Sequence, residues 1–513
     1  MKPLDTGTTG AGSRTVIDTD VAGLPARFAG LLRAGHRLAL VAAHHDPAHG
    51  ERDRAVRVVH LFVSGPPDTR TELHVRLDPD APELPTLARL SFPGGRFERE
   101  TRDLYGIVPR DHPLPHRLVR HFHWPRGWYP MSPDAGPPPP FAEPEGPYPF
   151  LEVEGDGVYE IPVGPVHAGL IEPGHFRFSV VGETIIKLKA RLWFTHKGVE
   201  KLFEGRTPGR GLPLAERVSG DTAVGHALAY CLAVEEALAV RVPDAARRAR
   251  ALLLELERLH NHVADLGALC NDVGHGVLNA QAQRVREELL RLNREVTGHR
   301  LLRGGVVLGG AWLRSLPGPG RMRALGEDIR SIVELALGHT TVRDRFTGTA
   351  RLAAGAARDL GCLGYVARAS GLSADARIAH PLYDYGPALR VPVHSGGDVL
   401  ARFLVRAEET DTSLALVGHL ADGLTPGAVV APPPEGDPAA PGPRSGVGLV
   451  EGWRGTIATR VELGPGPVLS RVKIVDPSFF NWPALPVALA DTIVPDFPLA
   501  NKSFNLSYAG NDL

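Results

Sequence analysis

Three long stretches of this chain carry apolar side chains at helical spacing, and that limits the fold before anything else does. Leu252, Leu256, Leu259, Val263 and Leu266 form one stripe between 243 and 269. Val285, Leu289, Leu292 and Val296 form a second between 278 and 297, and Leu325, Ile329 and Ile332 a third between 320 and 337. Each stripe must be buried against another element, so a helical bundle is the expected core. His260 and His262 lie two apart on the first stretch, point to different faces, and make poor joint ligands.

The chain ahead of the bundle reads differently. A helix around Leu24–Leu32, an apolar run at Leu38–Ala42 and strands at Val56–Val63 and Thr71–Leu77 predict a small α/β domain over 20–130. His44, His45 and Asp46, with His112, His116, His121 and His123, are too irregularly spaced for a metal cluster and read as surface or loop residues. Residues 131–149 hold Pro137–Pro140 and four further prolines, an extended linker that sets the domains at 1–130 and 150–513. A hairpin turning at Gly182-Glu183 follows, with Ile186, Leu188 and Leu192 facing in and Lys187, Lys189 and Arg191 facing out. The blocks Arg343–Gly348 and Ala367–Gly371 read as loops, and the Pro- and Gly-rich 424–446 as a mobile one.

Composition adds exclusions. A net charge of −1 offers no nucleic-acid surface. The three cysteines, Cys231, Cys270 and Cys362, are far apart and read as small buried hydrophobes, not as a disulfide framework or a metal site. Met1–Thr6 opens no apolar signal region and no apolar run is long enough to span a bilayer, so a soluble intracellular chain is expected. No Gly-x-Gly-x-x-Gly follows a strand, which argues against an NADH site.

The chemistry-bearing stretch is Glu216–His226, which runs into the apolar Ala227–Glu235. Asp221 or Ser219 can cap the helix that starts there. The stretch resembles the first metal-binding motif of nickel–iron hydrogenase large subunits, Arg-x-Cys-Gly-x-Cys-x-x-x-His, and equally the matching segment of the hydrogenase-like subunit of respiratory complex I. The two cysteine positions carry Ser219 and Thr222. The second motif of those hydrogenases, Ser-x-Asp-Pro-Cys-x-x-Cys, aligns on Ser503 and Asp512 and places its cysteines at Ser507 and Gly510. Hydroxyls are poor ligands for the low-valent metals and glycine offers none, so the resemblance implies the scaffold without nickel–iron chemistry. Ser219 and Thr222 are then expected to cap the helix before His226, with the C-terminal segment beside them. Leu513 matches the trimmed end of such hydrogenases.

Further blocks carry the likeness. Ile161–Gly169, Glu172–Phe178 and His196–Arg206 resemble energy-converting hydrogenase large subunits of the formate hydrogenlyase type, and that resemblance extends to residue 513. Gly452-Trp453-Arg454-Gly455 resembles the family's x-Pro-Arg-Gly, whose arginine points into the active cavity, with Trp453 in place of proline. Phe97–Ile107 and Asp111–Leu118 resemble the signature of complex I's small hydrophilic subunit, where the domain is structural. The same alternation of acids and bases, taken alone, reads as a solvated helix face. The expected fold class is therefore α+β: a small α/β domain like that subunit, then a hydrogenase-like domain with a helical-bundle core and peripheral β-hairpins.

In complex I the vacated cavity receives the quinone headgroup, held by a histidine near the N-terminal hairpin and a tyrosine in the first motif. His175 falls at the histidine position and Gly220 at the tyrosine position. The resemblance implies a subunit that passes electrons from a partner's iron–sulfur cluster to a quinone-like acceptor and binds no redox centre of its own. His175, Arg454 and Asp221 are the expected catalytic residues, in a cavity shared with His167, Glu200 and His226. Its expected partners are a small iron–sulfur subunit and multi-spanning membrane subunits, which would hold it on the cytoplasmic face of the inner membrane. A second reading makes it a non-catalytic scaffold and proton-coupling subunit of a hydrogenase-related complex.

Overall fold

A computed structural model describes residues 14–46, 55–142, 146–168, 171–431, 444–466 and 468–513. The expectations for Met1–Thr6 and for the 432–443 part of the Pro/Gly-rich segment lie outside the described residues. Of the rest of that segment, Gly427–Val430 is a strand, antiparallel to Gly310–Leu313.

The chain opens with a sheet ordered β1-β4-β3-β2, formed by β1 (Arg14–Thr19), β2 (Arg37–Asp46), β3 (Ala55–Ser64) and β4 (Thr69–Leu77), with α1 (Leu24–Arg33) after β1. The edge strand β1, parallel to β4, was not expected; its half-exposed Arg-Thr-Val-Ile-Asp-Thr gives little hydrophobic signal. β2 is apolar nearly throughout because it meets α1, the helix α2 (Phe92–Tyr105) and a later sheet.

The charged face of α2 is not solvated. Glu98 accepts from the Leu87 N–H at 2.5 Å and the Thr86 hydroxyl at 2.6 Å. Asp103 accepts from the N–H groups of Leu118, Val119 and Arg120. Glu100 pairs with Lys473 at 2.5 Å. The alternating charges are buried because each one fastens a loop or a distant strand to the helix.

β5 (Val158–Val163), β6 (His175–Val181) and β7 (Thr184–Arg191) form the hairpin region. The turn is where the sequence places it, and Leu188 and Leu192 face in and Lys187 out as expected, but Ile186, Lys189 and Arg191 do not follow the pattern. The register slips between Ser179 and Val180, so that Val180 opposes Ile185 and Ser179 opposes Lys187. The extra residue, Ile186, is 44% exposed while Ile185 is buried. Lys189 and Arg191 are also buried: Lys189 reaches the Leu151 carbonyl and Glu160, and Arg191 the carbonyls of Leu118 and Arg120.

The core is helical. α3 (Ala223–Ala237), α4 (Asp244–Asp272), α5 (Gly276–Thr297), α6 (Pro319–Gly338) and α7 (Val399–Ala421) pack so that α4 touches each of the others. The blocks read as loops are largely short helices, Thr340–Phe346 and Gly364–Ala369. α7 escaped the sequence pattern because polar and apolar side chains are buried together: Arg402, Arg406, Glu409, Thr410 and Ser413 are inside with Phe403, Val405, Leu416 and Leu420. Against the bundle lies an antiparallel sheet of β8 (Arg444–Gly452), β9 (Gly455–Gly464) and β10 (Val468–Val475). α3 crosses β8 at backbone distance, since a Cβ on Gly448 would stand 1.9 Å from the Ala229 carbonyl oxygen.

This sheet also meets the N-terminal one through buried charges. Arg460 donates to Glu72 at 3.0 and 3.2 Å and to Glu462 at 2.8 Å, and Arg57 reaches Glu462 as well. His44 is therefore no surface residue: it is buried, with Nδ1 3.0 Å from Glu462. The three cysteines are free and buried. Among the described residues no helix is long and apolar enough to cross a membrane.

Candidate functional site

The start of α3, the β8–β9 turn and the C-terminal helix α8 (Tyr508–Asp512) converge on one point. Ser219 Oγ lies 2.8 Å from Ser507 Oγ and donates to Asp221 Oδ1 at 2.9 Å. Thr222 Oγ1 donates to the same carboxylate oxygen at 3.0 Å. Ser507 Oγ in turn accepts from the Gly510 N–H at 2.8 Å and caps α8. The four positions aligned with metal-binding cysteines are thus neighbours, joined by their own hydrogen bonds.

Ser219 and Thr222 do not cap α3. That role falls to Glu257 on α4, whose carboxylate accepts from the Val224 and Gly225 N–H groups at 2.7 and 3.0 Å. Burial pushes this carboxyl up to about 8 against the pull of those two donors. The hydroxyls are instead turned toward Asp221.

Arg454 sits in the β8–β9 turn and holds Asp221 with both ends of its fork, each contact 2.7 Å. Its Nε donates to the Asn505 carbonyl at 2.6 Å, and its guanidinium lies 3.9 Å from the Trp453 ring centre. Trp453 replaces a proline yet stays buried and tethers the same point, donating from its indole to the Asp221 carbonyl and to Thr222 Oγ1. The pair is lopsided: the Asp221 side chain is 40% exposed and that of Arg454 4%. Burial would raise the Asp221 carboxyl, but the Arg454 guanidinium holds it well below the usual carboxylate range. Solvent therefore meets this site as an ionised carboxylate backed by a fixed cation.

The other expected residues fall into three places. His226 is bonded through Nε2 to Asp476 at 2.9 Å, both fully buried. Asp476 packs on Gly510, where a Cβ would stand 2.7 Å from its Cγ. Glu200 is not brought to Asp221; it clamps β10, accepting from Arg471 at 2.7 Å, from the Ile474 N–H at 3.0 Å, and pairing with Lys473.

His175 and His167 lie on the approach to β6. His175 Nδ1 is 3.2 Å from the Gly164 carbonyl and its ring packs near Phe150. His167 packs edge-on against Phe176, and its Nε2 is buried without a hydrogen-bond partner. This approach covers α8: Glu172 accepts from the Ala509 N–H at 2.9 Å, and a Cβ on Gly174 would meet the Tyr508 ring at 2.5 Å. Tyr508, next to Ser507, was missed in the sequence. Its buried hydroxyl finds no hydrogen bond of good geometry, the Asn501 side chain being the nearest candidate, and burial keeps the phenol neutral. The signal available was only an aromatic residue adjoining an aligned cysteine position.

Comparison with known proteins follows the same division. Residues 26–138 match the family described as respiratory-chain NADH dehydrogenase, 30 Kd subunit. Residues 272–444 match its 49 Kd subunit, and residues 197–270 match nickel-dependent hydrogenase. Formate hydrogenlyase subunit 5 of Escherichia coli (strain K12) is 34% identical over 469 residues, covering 88% of this chain and 81% of that one. The chain belongs to the family of fused 30 Kd and 49 Kd subunits shared by complex I and hydrogenases of this type.

Other members of this fused-subunit family include the C/D subunit of an NADH-quinone oxidoreductase from Phocaeicola vulgatus, 30% identical over 375 residues, covering 68% of this chain and 71% of that one. Among solved structures, a chain of the membrane-bound sulfane sulfur reductase, an archaeal respiratory membrane complex, superposes with a TM-score of 0.63 at 25% identity. It covers 70% of this chain and 99% of its own. The nickel named by one family description does not fit the residues here. The aligned positions offer three hydroxyls, already engaged with one another and with Asp221, and a glycine.

Proposed function

We propose that this family member is a subunit of a membrane-associated, ion-translocating oxidoreductase complex and passes electrons from a partner's iron–sulfur cluster to a quinone-like acceptor, without nickel–iron chemistry. The observation that carries the proposal is the solvent-facing Asp221–Arg454 pair, set among hydroxyls where the family's metal-binding scaffold converges. A site of fixed polar groups suits binding of an organic carbonyl acceptor. Reduction of a quinone to a quinol takes two electrons, here one at a time from the partner's cluster, and two protons, drawn from the solvent that reaches Asp221. His175, the unpartnered Nε2 of His167 and the neutral phenol of Tyr508 supply hydrogen-bonding groups at the neighbouring approach. Relatives named as subunits of formate hydrogenlyase and of NADH-quinone oxidoreductase support this assignment. The chain would then be peripheral, held on the cytoplasmic face through a small iron–sulfur subunit and multi-spanning membrane subunits.

A second reading, a non-catalytic scaffold and proton-coupling subunit, is favoured by Glu200, which is locked against β10, and by glycine at position 220. The intact complex separates the two. His175→Ala should lower quinone-dependent turnover by about tenfold or more while leaving the set of assembled subunits unchanged. Unchanged turnover in a correctly assembled complex would favour the scaffold.

A further inference from the structure

A concavity lies where α2, the strand exit after β7 and the 482–486 segment meet. It is a cleft of about 240 Å³ that includes Arg96, Arg99 and Arg191 in its lining. None of these three forms an ion pair with a carboxylate among the described residues; carbonyl oxygens hold them instead. Arg96 donates to the Phe479 carbonyl, Arg99 to those of His116 and Arg117, and Arg191 to those of Leu118 and Arg120. Carbonyl dipoles fix where a guanidinium points, while the neighbouring carboxylates, Glu100 and Asp512 for Arg96 and Asp103 for Arg191, act on it only through space. Burial pulls Arg96 down to about 9 and Arg191 to about 10, against the ordinary rule that buried arginines are paired.

The rest of the lining is apolar and aromatic. The Arg96 guanidinium lies 5.6 Å, and that of Arg191 5.8 Å, from the Trp193 ring centre. Tyr148 bonds Arg99 at 3.1 Å and faces Arg191 at 4.8 Å. Two of the chain's exposed large hydrophobics, Phe92 at 43% and Leu114 at 53%, also line the cleft. Clustered unpaired cations beside apolar walls describe a receptor for a molecule with the opposite layout.

We propose that this cleft binds an anionic amphiphile, its phosphate or carboxylate head on Arg96, Arg99 and Arg191 and its apolar body along Phe92, Leu114 and the tryptophans. The shared chemistry is an oxyanion attached to a hydrocarbon chain, whether a free molecule or an acidic lipid. This site is independent of the acceptor chemistry at Asp221.

The test uses the purified full-length protein and the fluorescence of Trp193 and Trp482 alongside calorimetry. Octyl phosphate should bind at least about tenfold more tightly than uncharged octyl glucoside, and more weakly as salt is raised. Inorganic phosphate should bind more weakly than octyl phosphate, since it lacks the apolar part. Arg99→Gln, at a half-buried position, should weaken octyl phosphate about tenfold while leaving octyl glucoside binding and Tm unchanged. Leu114→Asp, on an exposed residue of the apolar wall, should weaken octyl phosphate and octyl glucoside alike without touching the cationic floor. Binding to phosphatidylglycerol vesicles but not to phosphatidylcholine vesicles, lost in Arg99→Gln, supports the lipid source. Octyl phosphate binding without vesicle binding supports a free ligand. No difference between octyl phosphate and octyl glucoside, or an unaltered octyl phosphate affinity in both variants, would overturn the proposal, as would preferential capture of an acidic peptide over octyl phosphate.

Discussion

Gly448 is the position at which one added methyl group should do most damage. It lies in the middle of β8, and a Cβ there would stand 1.9 Å from the Ala229 carbonyl oxygen and 2.8 Å from its carbon. Two turns of α3 rest on this strand in the same way, because a Cβ on Gly446 would stand 2.0 Å from the Ala233 carbonyl oxygen. An ordinary contact needs more than about 3 Å, so Gly448→Ala must separate a helix from a strand by over ~1 Å. Both sides of the contact are backbone, and no rotamer change relieves it. Overpacking of this kind costs about 1–3 kcal/mol where side chains can yield, and the upper end is expected here. With an unfolding entropy of about 2.1 cal/mol/K per residue, that corresponds in a chain of 513 residues to a fall in Tm of about 3 °C, read by differential scanning fluorimetry. Gly209 and Gly220 have open space where a Cβ would stand, so Gly209→Ala and Gly220→Ala serve as matched controls. A Gly448→Ala protein melting within about 1 °C of those controls, a margin of about 1 kcal/mol, would refute the reasoning that backbone contact fixes α3.

Three further outcomes are expected. Asp221→Asn should cost about 1–2 kcal/mol at pH 7, less than a wholly buried pair because water reaches Asp221. The folded carboxyl is depressed below 3.8, so its stabilisation is present above that pH and lost as pH falls through the folded value. The gap between wild type and variant should therefore narrow in acid unfolding below pH 3.8, and a gap that widens there would contradict the pairing. Glu72→Ala leaves Arg460, 1% exposed, short of a partner in the contact between the two sheets, and should cost about 3–5 kcal/mol by chemical denaturation; a loss under about 1 kcal/mol would show that the contact is not a stability element. Elemental analysis of the purified protein should find no stoichiometric nickel, and one nickel per chain would end the hydroxyl-site argument.

Much of this fold is legible wherever one periodicity dominates. α4, α5 and α6 announce themselves through single apolar stripes, β2 through a short apolar run, and β3 and β4 through partial alternation. α7 is as long as these and was invisible, because Arg402, Arg406 and Glu409 occupy its buried face and pair with partners far off in sequence, such as Asp265 and Arg368. The charged string of α2 failed for the same reason, since the loops and the strand that satisfy it cannot be seen locally. At the candidate site the motif identifies Ser219, Asp221 and Thr222 but not who caps the helix. Glu257 does so from a different helix, a tertiary override that no local capping preference records.

The condition of the four aligned positions says what kind of change separates this site from a metal centre. Ser219, Thr222 and Ser507 differ from cysteine by little more than the oxygen that stands for sulfur, and would admit a thiol with small adjustments. Gly510 would not. A Cβ there would lie 2.7 Å from both Cγ and Oδ2 of Asp476 and 3.0 Å from Ser507 Oγ. Asp476 cannot readily retreat, since it is fully buried, bonded to His226 at 2.9 Å, and accepts from the Ser478 N–H at 2.8 Å. The backbone of α8 has thus closed onto the carboxylate that a fourth ligand would displace. Restoring three thiols would leave an incomplete set, and restoring the fourth would break the Asp476–His226 contact beneath it. Oxygen and nitrogen contacts join the aligned positions to one another and to Asp221, and a molecule bound there would meet groups of that kind.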